Sequence, residues 1–154
     1  MPFSPKISLS LLFVFLLCLG LNALAGGLLL IIHPNGDLLG MEMNPSMSSL
    51  FPSYFLPGLI LFCFLGLLPL FSLYGLISQR KILWAEHLNL HTNMHWSWTF
   101  SVYSGFVALI WIMVQQILIG YFWLQSLILF LACGIIMLCF LPVLMRRYKR
   151  KISE

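Results

Sequence analysis

Three histidines spaced by four residues, His87, His91 and His95, with Glu86 beside the first, are the group in this chain best suited to chemistry. On one continuous helix, imidazoles at i and i+4 face the same way and can chelate a metal ion such as zinc. The third ring lies one further turn along, roughly 6 Å, and joins only if the helix bends. Thr92-Asn93 is a weak helix former in the middle of this stretch. The plainer reading is a polar segment whose imidazoles face water and headgroups. A second group is His33, Asp37 and Glu42, with residue types for acid–base work or cation binding, or for a turn that ends a helix. A third is a set of amides, Asn22, Gln115 and Gln116, in otherwise apolar surroundings. Such amides either line a ligand pocket between helices or hydrogen-bond one helix to another.

Those residues hang on four long apolar stretches, and the positive charges stand in only three places. Lys6 precedes the first stretch, Arg80 and Lys81 lie between the second and third, and Arg146, Arg147, Lys149, Arg150 and Lys151 follow the fourth. The other two connections hold no Lys or Arg. This predicts an all-α membrane protein, a four-helix bundle with both termini and the middle loop in the cytoplasm. Composition agrees: 154 residues that are 61% hydrophobic and 8% charged could not cover a water-facing surface, whereas a bilayer removes that need. No Asp, Glu, Lys or Arg lies within a stretch. Coupled proton transport ordinarily needs an ionisable group at depth, which argues against a small proton antiporter. The net charge of +4 gathers in the C-terminal cluster, a topology signal compatible with anionic headgroups. With no basic domain to follow a phosphate backbone, nucleic acid is not an expected partner. Cys18, Cys63, Cys133 and Cys139 form no Cys-x-x-Cys pair, and Leu17 denies Cys18 a lipoprotein motif.

The predicted spans run over about 7–32, 54–78, 96–120 and 122–145, in one domain covering 1–154. Gly20, Ala23 and Gly27 share a face of span one, where another helix can come close. In the loop from His33 to about Ser53, Asn35-Gly36 predicts a tight turn. Asn44-Pro45-Ser46 predicts the start of a short helix on the outer membrane surface, with Met47, Leu50 and Phe51 on its apolar face. Pro69 should kink span two. Trp84, Trp96 and Trp98 suit an interfacial belt. Ser97, Ser101, Gly105, Ala108 and Gln115 form a second small-and-polar seam on span three, and the short link Tyr121 to Gln125 makes spans three and four a hairpin.

Leu38-Leu39-Gly40-Met41 after a Pro-Asn-Gly-Asp turn, Phe55-Leu56-Pro57-Gly58-Leu59 and His95-Trp96-x-Trp98 occur together with Gly105-x5-Trp111-Ile112-x2-Gln115, Ile119-Gly120-Tyr121 and Leu124-Gln125. This pattern resembles a group of small uncharacterised bacterial integral membrane proteins with four predicted helices, over about Gly26 to Tyr148. The resemblance implies no activity. In that group a Gln-Pro pair often opens the fourth span; here Ser126 follows Gln125, so the helix start is less firmly set.

The expectation is a non-enzymatic accessory or structural subunit of the bacterial inner membrane, in contact with lipid and with a second copy or another membrane protein. The alternatives are a binding or transport module for an apolar or lipid-like ligand, and a metal-dependent membrane enzyme. No cofactor is expected, zinc at the three histidines being the exception. Lys6, the apolar core that follows it and Ala23-Leu24-Ala25 resemble a cleavable leader, but the apolar run continues through Ile32, long enough to span. The intact mass of the purified protein should therefore include span one; a mass beginning at Gly26 would leave three spans.

Overall fold

The computed structural model describes residues 4–41, 48 and 50–150. Among them every regular element is helical: α1 (Pro5–Ile32), a single 3-10 turn (Asp37–Leu39), α2 (Phe55–Ser78), α3 (Leu83–His87), α4 (Trp96–Ile119), α5 (Trp123–Cys139) and α6 (Pro142–Tyr148). The proposed surface helix begins at Asn44, Pro45 and Ser46, which lie outside the described residues, as does Met47.

Three helices, α1, α2 and α4, are long and apolar enough to cross a membrane; the bent pair α5–α6 makes up to four. The stretch expected as one span over 122–145 is two helices that meet at a bend. Pro142 lacks a backbone donor and pushes Leu141 out of the helical region, to φ −63°, ψ 130°. The chain turns by 67° between α5 and α6. The 17 residues of α5 make roughly 25 Å of helix, somewhat less than a hydrocarbon core of about 30 Å.

The long helices pack in a ring, with α1 against α2, α2 against α4, α4 against α5 and α5 back against α1. Only about a third of the most apolar window of α1 is buried inside the molecule. Ile117, Met137 and Phe130 are 79%, 71% and 62% exposed, more apolar surface than a water-facing protein carries but ordinary where lipid covers it. The cohesion therefore comes from close packing. A Cβ on Gly27 would stand 2.7 Å from the Phe62 nitrogen and 2.8 Å from the Gly58 carbonyl oxygen, so the α1 and α2 backbones touch there. Seven residues away on α1, Gly20 packs on Leu70 and the Gly66 carbonyl.

The matching glycines of α2, Gly58 and Gly66, are eight residues apart. The mismatch is absorbed by π-helical turns over Leu61–Leu67, which take more residues for the same rise. Pro69 follows directly. Its missing donor and its ring disturb this part of the ladder, and α2 answers with wide turns while running on to Ser78. The α4 seam also faces inward: Ser97, Ser101 and Ala108 are fully buried. A Cβ on Gly105 would meet Ile136 of α5 at 2.5 Å.

The two glycines should differ on enlargement. Gly27→Leu collides with backbone, which cannot move aside, whereas Gly105→Leu collides first with the Ile136 side chain, which can shift in part, and only less closely with the Ala132 carbonyl. Both should lower the melting temperature in detergent, Gly27→Leu by more, toward the upper end of the roughly 1–3 kcal/mol that overpacking costs. Ile117→Ala, on the exposed face, should change little. Equal melting of Gly27→Leu and the parent would show that the α1–α2 contact is absent.

Candidate functional site

The histidines do not share a helix. α3 ends at His87, and the chain turns at Leu88 and Asn89 before α4 begins. Asn89 is buried and builds that turn: its Nδ2 donates to the Met94 carbonyl at 2.9 Å, and its Oδ1 accepts from Thr99 Oγ1 at 2.6 Å and from the His91 N–H at 3.1 Å. His87 is exposed, and the exposed His91 packs edge-on to Trp98. His95 caps α4, its Nδ1 3.3 Å from the Ser97 N–H and 2.8 Å from the Ser97 hydroxyl. Among the described residues no group of three His, Cys, Asp or Glu is arranged to hold a metal ion.

What the histidine segment does instead is tie the basic end together. The His95 N–H donates to the Tyr148 carbonyl and the Arg150 N–H to the Asn93 carbonyl, so the chain after α6 pairs with the loop before α4. Arg150 also pairs with Glu86. The belt assignment of Trp96 and Trp98 is corrected here. Trp84 is 55% exposed, but the other two are buried, donating to the Arg80 and Cys139 carbonyls.

At the opposite end, His33 caps α1 and Asp37 opens the 3-10 turn. Both are exposed, and Glu42 lies outside the described residues. The Gly36 N–H bonds the His33 carbonyl, with φ 82° at Gly36, and the Tyr54 N–H bonds the Pro34 carbonyl. The loop therefore folds over the buried Tyr54.

Beneath this loop lies a cavity of about 200 Å³ between α1, α4 and α5. Asn22, Ala23 and Gly26 form its α1 wall, Gln115 and Ile119 its α4 wall, and Leu124, Gln125 and Ile128 its α5 wall. Leu39, Met41, Phe122 and Trp123 roof it. Among the described residues that line it, none has an ionisable side chain. The cavity exists because α1 and α5 touch lower down, where Phe15 meets Phe130 and fills the space above Gly134, and leave a gap toward the loop. The exposed Asn22, Phe122 and Trp123 lie at its rim. A smaller space of about 20 Å³, bordered by Trp111, Gln115, Tyr54 and Met41, adjoins it.

Two of the three expected amides thus meet in one place. Gln116 is exposed and is not part of the wall. Asn22, which is exposed, donates its Nδ2 to the Cys18 carbonyl at 2.8 Å. Gln125, not expected as a structural residue, closes the α4–α5 hairpin: its Nε2 donates to the Gly120 carbonyl and its Oε1 accepts the Phe122 N–H. A glutamine three residues into a helix is the usual partner of an N-terminal cap, and that was the available signal. The Tyr121–Ser126 hydroxyl pair adds to it, so the helix start is firmly set without a proline.

Comparison of the chain with protein families, curated proteins and solved structures gives no match.

Burial lowers the His95 pKa from its ordinary 6.5, the Gln79 and Arg80 carbonyls oppose that, and the Lys81 charge adds to the lowering. A histidine that binds protons less well when folded contributes stability above its unfolded pKa, and that contribution is lost as pH falls below about 6.5. Protonation also consumes the Nδ1 acceptor that caps α4. Thermal stability should therefore drop on acidification from pH 7.5 to 5.5. In His95→Asn, which keeps a cap acceptor, the drop should be smaller; an unchanged pH profile would show that His95 is not the titrating group.

Proposed function

We propose that this chain is a small multi-pass membrane protein that binds an apolar, lipid-like ligand in the cavity between α1, α4 and α5. The carrying observation is the cavity itself: a space between apolar helices, without a charged side chain among its described lining residues, with a lateral rim between α1 and α5 and Gln115 in its wall. Concave, mostly apolar sites with a few polar groups are the usual form of small-molecule pockets. The reading as an accessory subunit loses part of its basis, because its small-residue seams are occupied within the chain by Phe62, Leu70 and Ile136. The metal-enzyme reading finds no ligand cluster among the described residues.

In this proposal the α5–α6 pair completes a fourth crossing, and the protein lies in a bacterial inner membrane, as its resemblance to small four-span proteins implies. Lys6, Arg80, Lys81 and the α6 cluster all stand at the same end of the bundle, supporting cytoplasmic termini. The orientation can be read with an impermeant thiol reagent on intact cells, in a background without the native cysteines. Asp37→Cys should be labelled from outside, and Leu90→Cys, at an 81% exposed position of the other end, should not. The reverse pattern would overturn the orientation.

Ligand binding is tested by filling the space. A Cβ on Gly26 meets only Leu61, at 3.4 Å, so Gly26→Leu should be tolerated and should project into the cavity. Native mass spectrometry of the parent, purified in mild detergent, should show a retained lipid-sized mass. Gly26→Leu should lose it while keeping the parent's melting temperature. A parent that carries no such mass, even after incubation with a lipid extract, contradicts the proposal.

A further inference from the structure

We infer that the ligand is a neutral lipid with a carbonyl group, and that Trp111 and Gln115 recognise that carbonyl. This rests on the proposed binding function and names its ligand class. Trp111 is 8% exposed, and its indole Nε1–H is buried with no hydrogen-bond partner among the described residues. A buried donor without an acceptor is costly, roughly 1–3 kcal/mol, and native proteins rarely leave one. The ring separates two spaces. One is a groove on the outer face between α2 and α4, lined only by apolar side chains such as Ile60, Phe64 and Val107, where lipid tails offer no acceptor. The other is the 20 Å³ space adjoining the main cavity, large enough for about one water-sized group. The inferred acceptor for Trp111 comes from that second space, which Trp111 borders.

Gln115 stands one turn further along α4 and borders both the small space and the main cavity. Its amide makes no hydrogen bond to another described residue. Two neutral donors, one helical turn apart, suit a single oxygen with two lone pairs. Among the described residues no charged side chain lines either space, so those walls offer no partner to an anionic or cationic headgroup, which would enter at high cost in a low-dielectric site. A carbonyl oxygen has the required size, neutrality and acceptor capacity, and the apolar wall formed by Ala23, Leu61 and Ile128 takes the chain attached to it. An ester-linked acylglycerol and a prenylated quinone both carry this chemistry.

The test uses the full chain in detergent micelles and three probes: a diacylglycerol with ¹³C-labelled ester carbonyls, its diether analogue, and an isoprenoid quinone. The diacylglycerol or the quinone should bind about tenfold more tightly than the diether, the scale of one or two hydrogen bonds. The bound carbonyl stretch should move to lower frequency. Trp111→Phe, which keeps the ring and removes the N–H, should cut that preference and reverse the frequency shift; Gln115→Leu, a second and independent variant, should do so in part. Preference for the diacylglycerol or for the quinone names the source. Equal binding of diether and carbonyl lipids, or an unshifted stretch in the parent, overturns the inference while leaving the binding function standing. Failure of all three to bind overturns both.

Discussion

Close backbone approach between α1 and α2 is the contact on which the rest of this structure depends. In a bilayer, helices gain nothing by hiding leucine from lipid, since the tails are equally apolar, so association relies on dense contact. Gly27 against Gly58 and Gly20 against Gly66 supply it, and the π-helical turns of α2 keep the two glycine pairs in register. A straight α-helix through Leu61–Leu67 would bring one pair into contact and rotate the other away. The wide turns also accommodate Pro69, so one local distortion answers two constraints.

The second pair of helices is fixed differently. α4 and α5 form a hairpin closed by Gln125 and packed through Gly105 and Ile136. Between these two tight pairs, α1 meets α5 through the bulky Phe15 and Phe130 rings. The ring of helices is thus tied on three sides and loosely bridged on the fourth. The cavity lies on that side, above the phenylalanine contact and below the His33–Met41 loop. At the opposite end, Asn89, His95 and the chain after α6 lock the helix ends together. The molecule is closed at its basic end and open in its wall at the other.

Much of this was legible in the sequence. Helix positions followed from apolar runs and prolines, and the inward faces of α1 and α4 from the spacing of small residues; that Asn22 and Gln115 border one cavity while Gln116 does not depends on helix rotation and was not legible. Other features depend on contacts that no local pattern encodes. Trp96 and Trp98 sit where a belt would place them, yet they turn inward because carbonyls at Arg80 and Cys139 await their N–H groups. His87, His91 and His95 have helical spacing, but Asn89 satisfies a turn and breaks the helix between them. The bend at Pro142 was visible as a proline, while its size depends on α6 packing back against α1.

The central claim is that the gap between α1 and α5 is a ligand site. A density map of the protein in lipid nanodiscs, at a resolution that shows side chains, tests this most directly. The account predicts elongated non-protein density entering beside Asn22 and ending at Gln115 and Trp111. A map in which α5 closes onto α1, with Leu124 packed against Asn22 and Gly26 and no density between them, would contradict it.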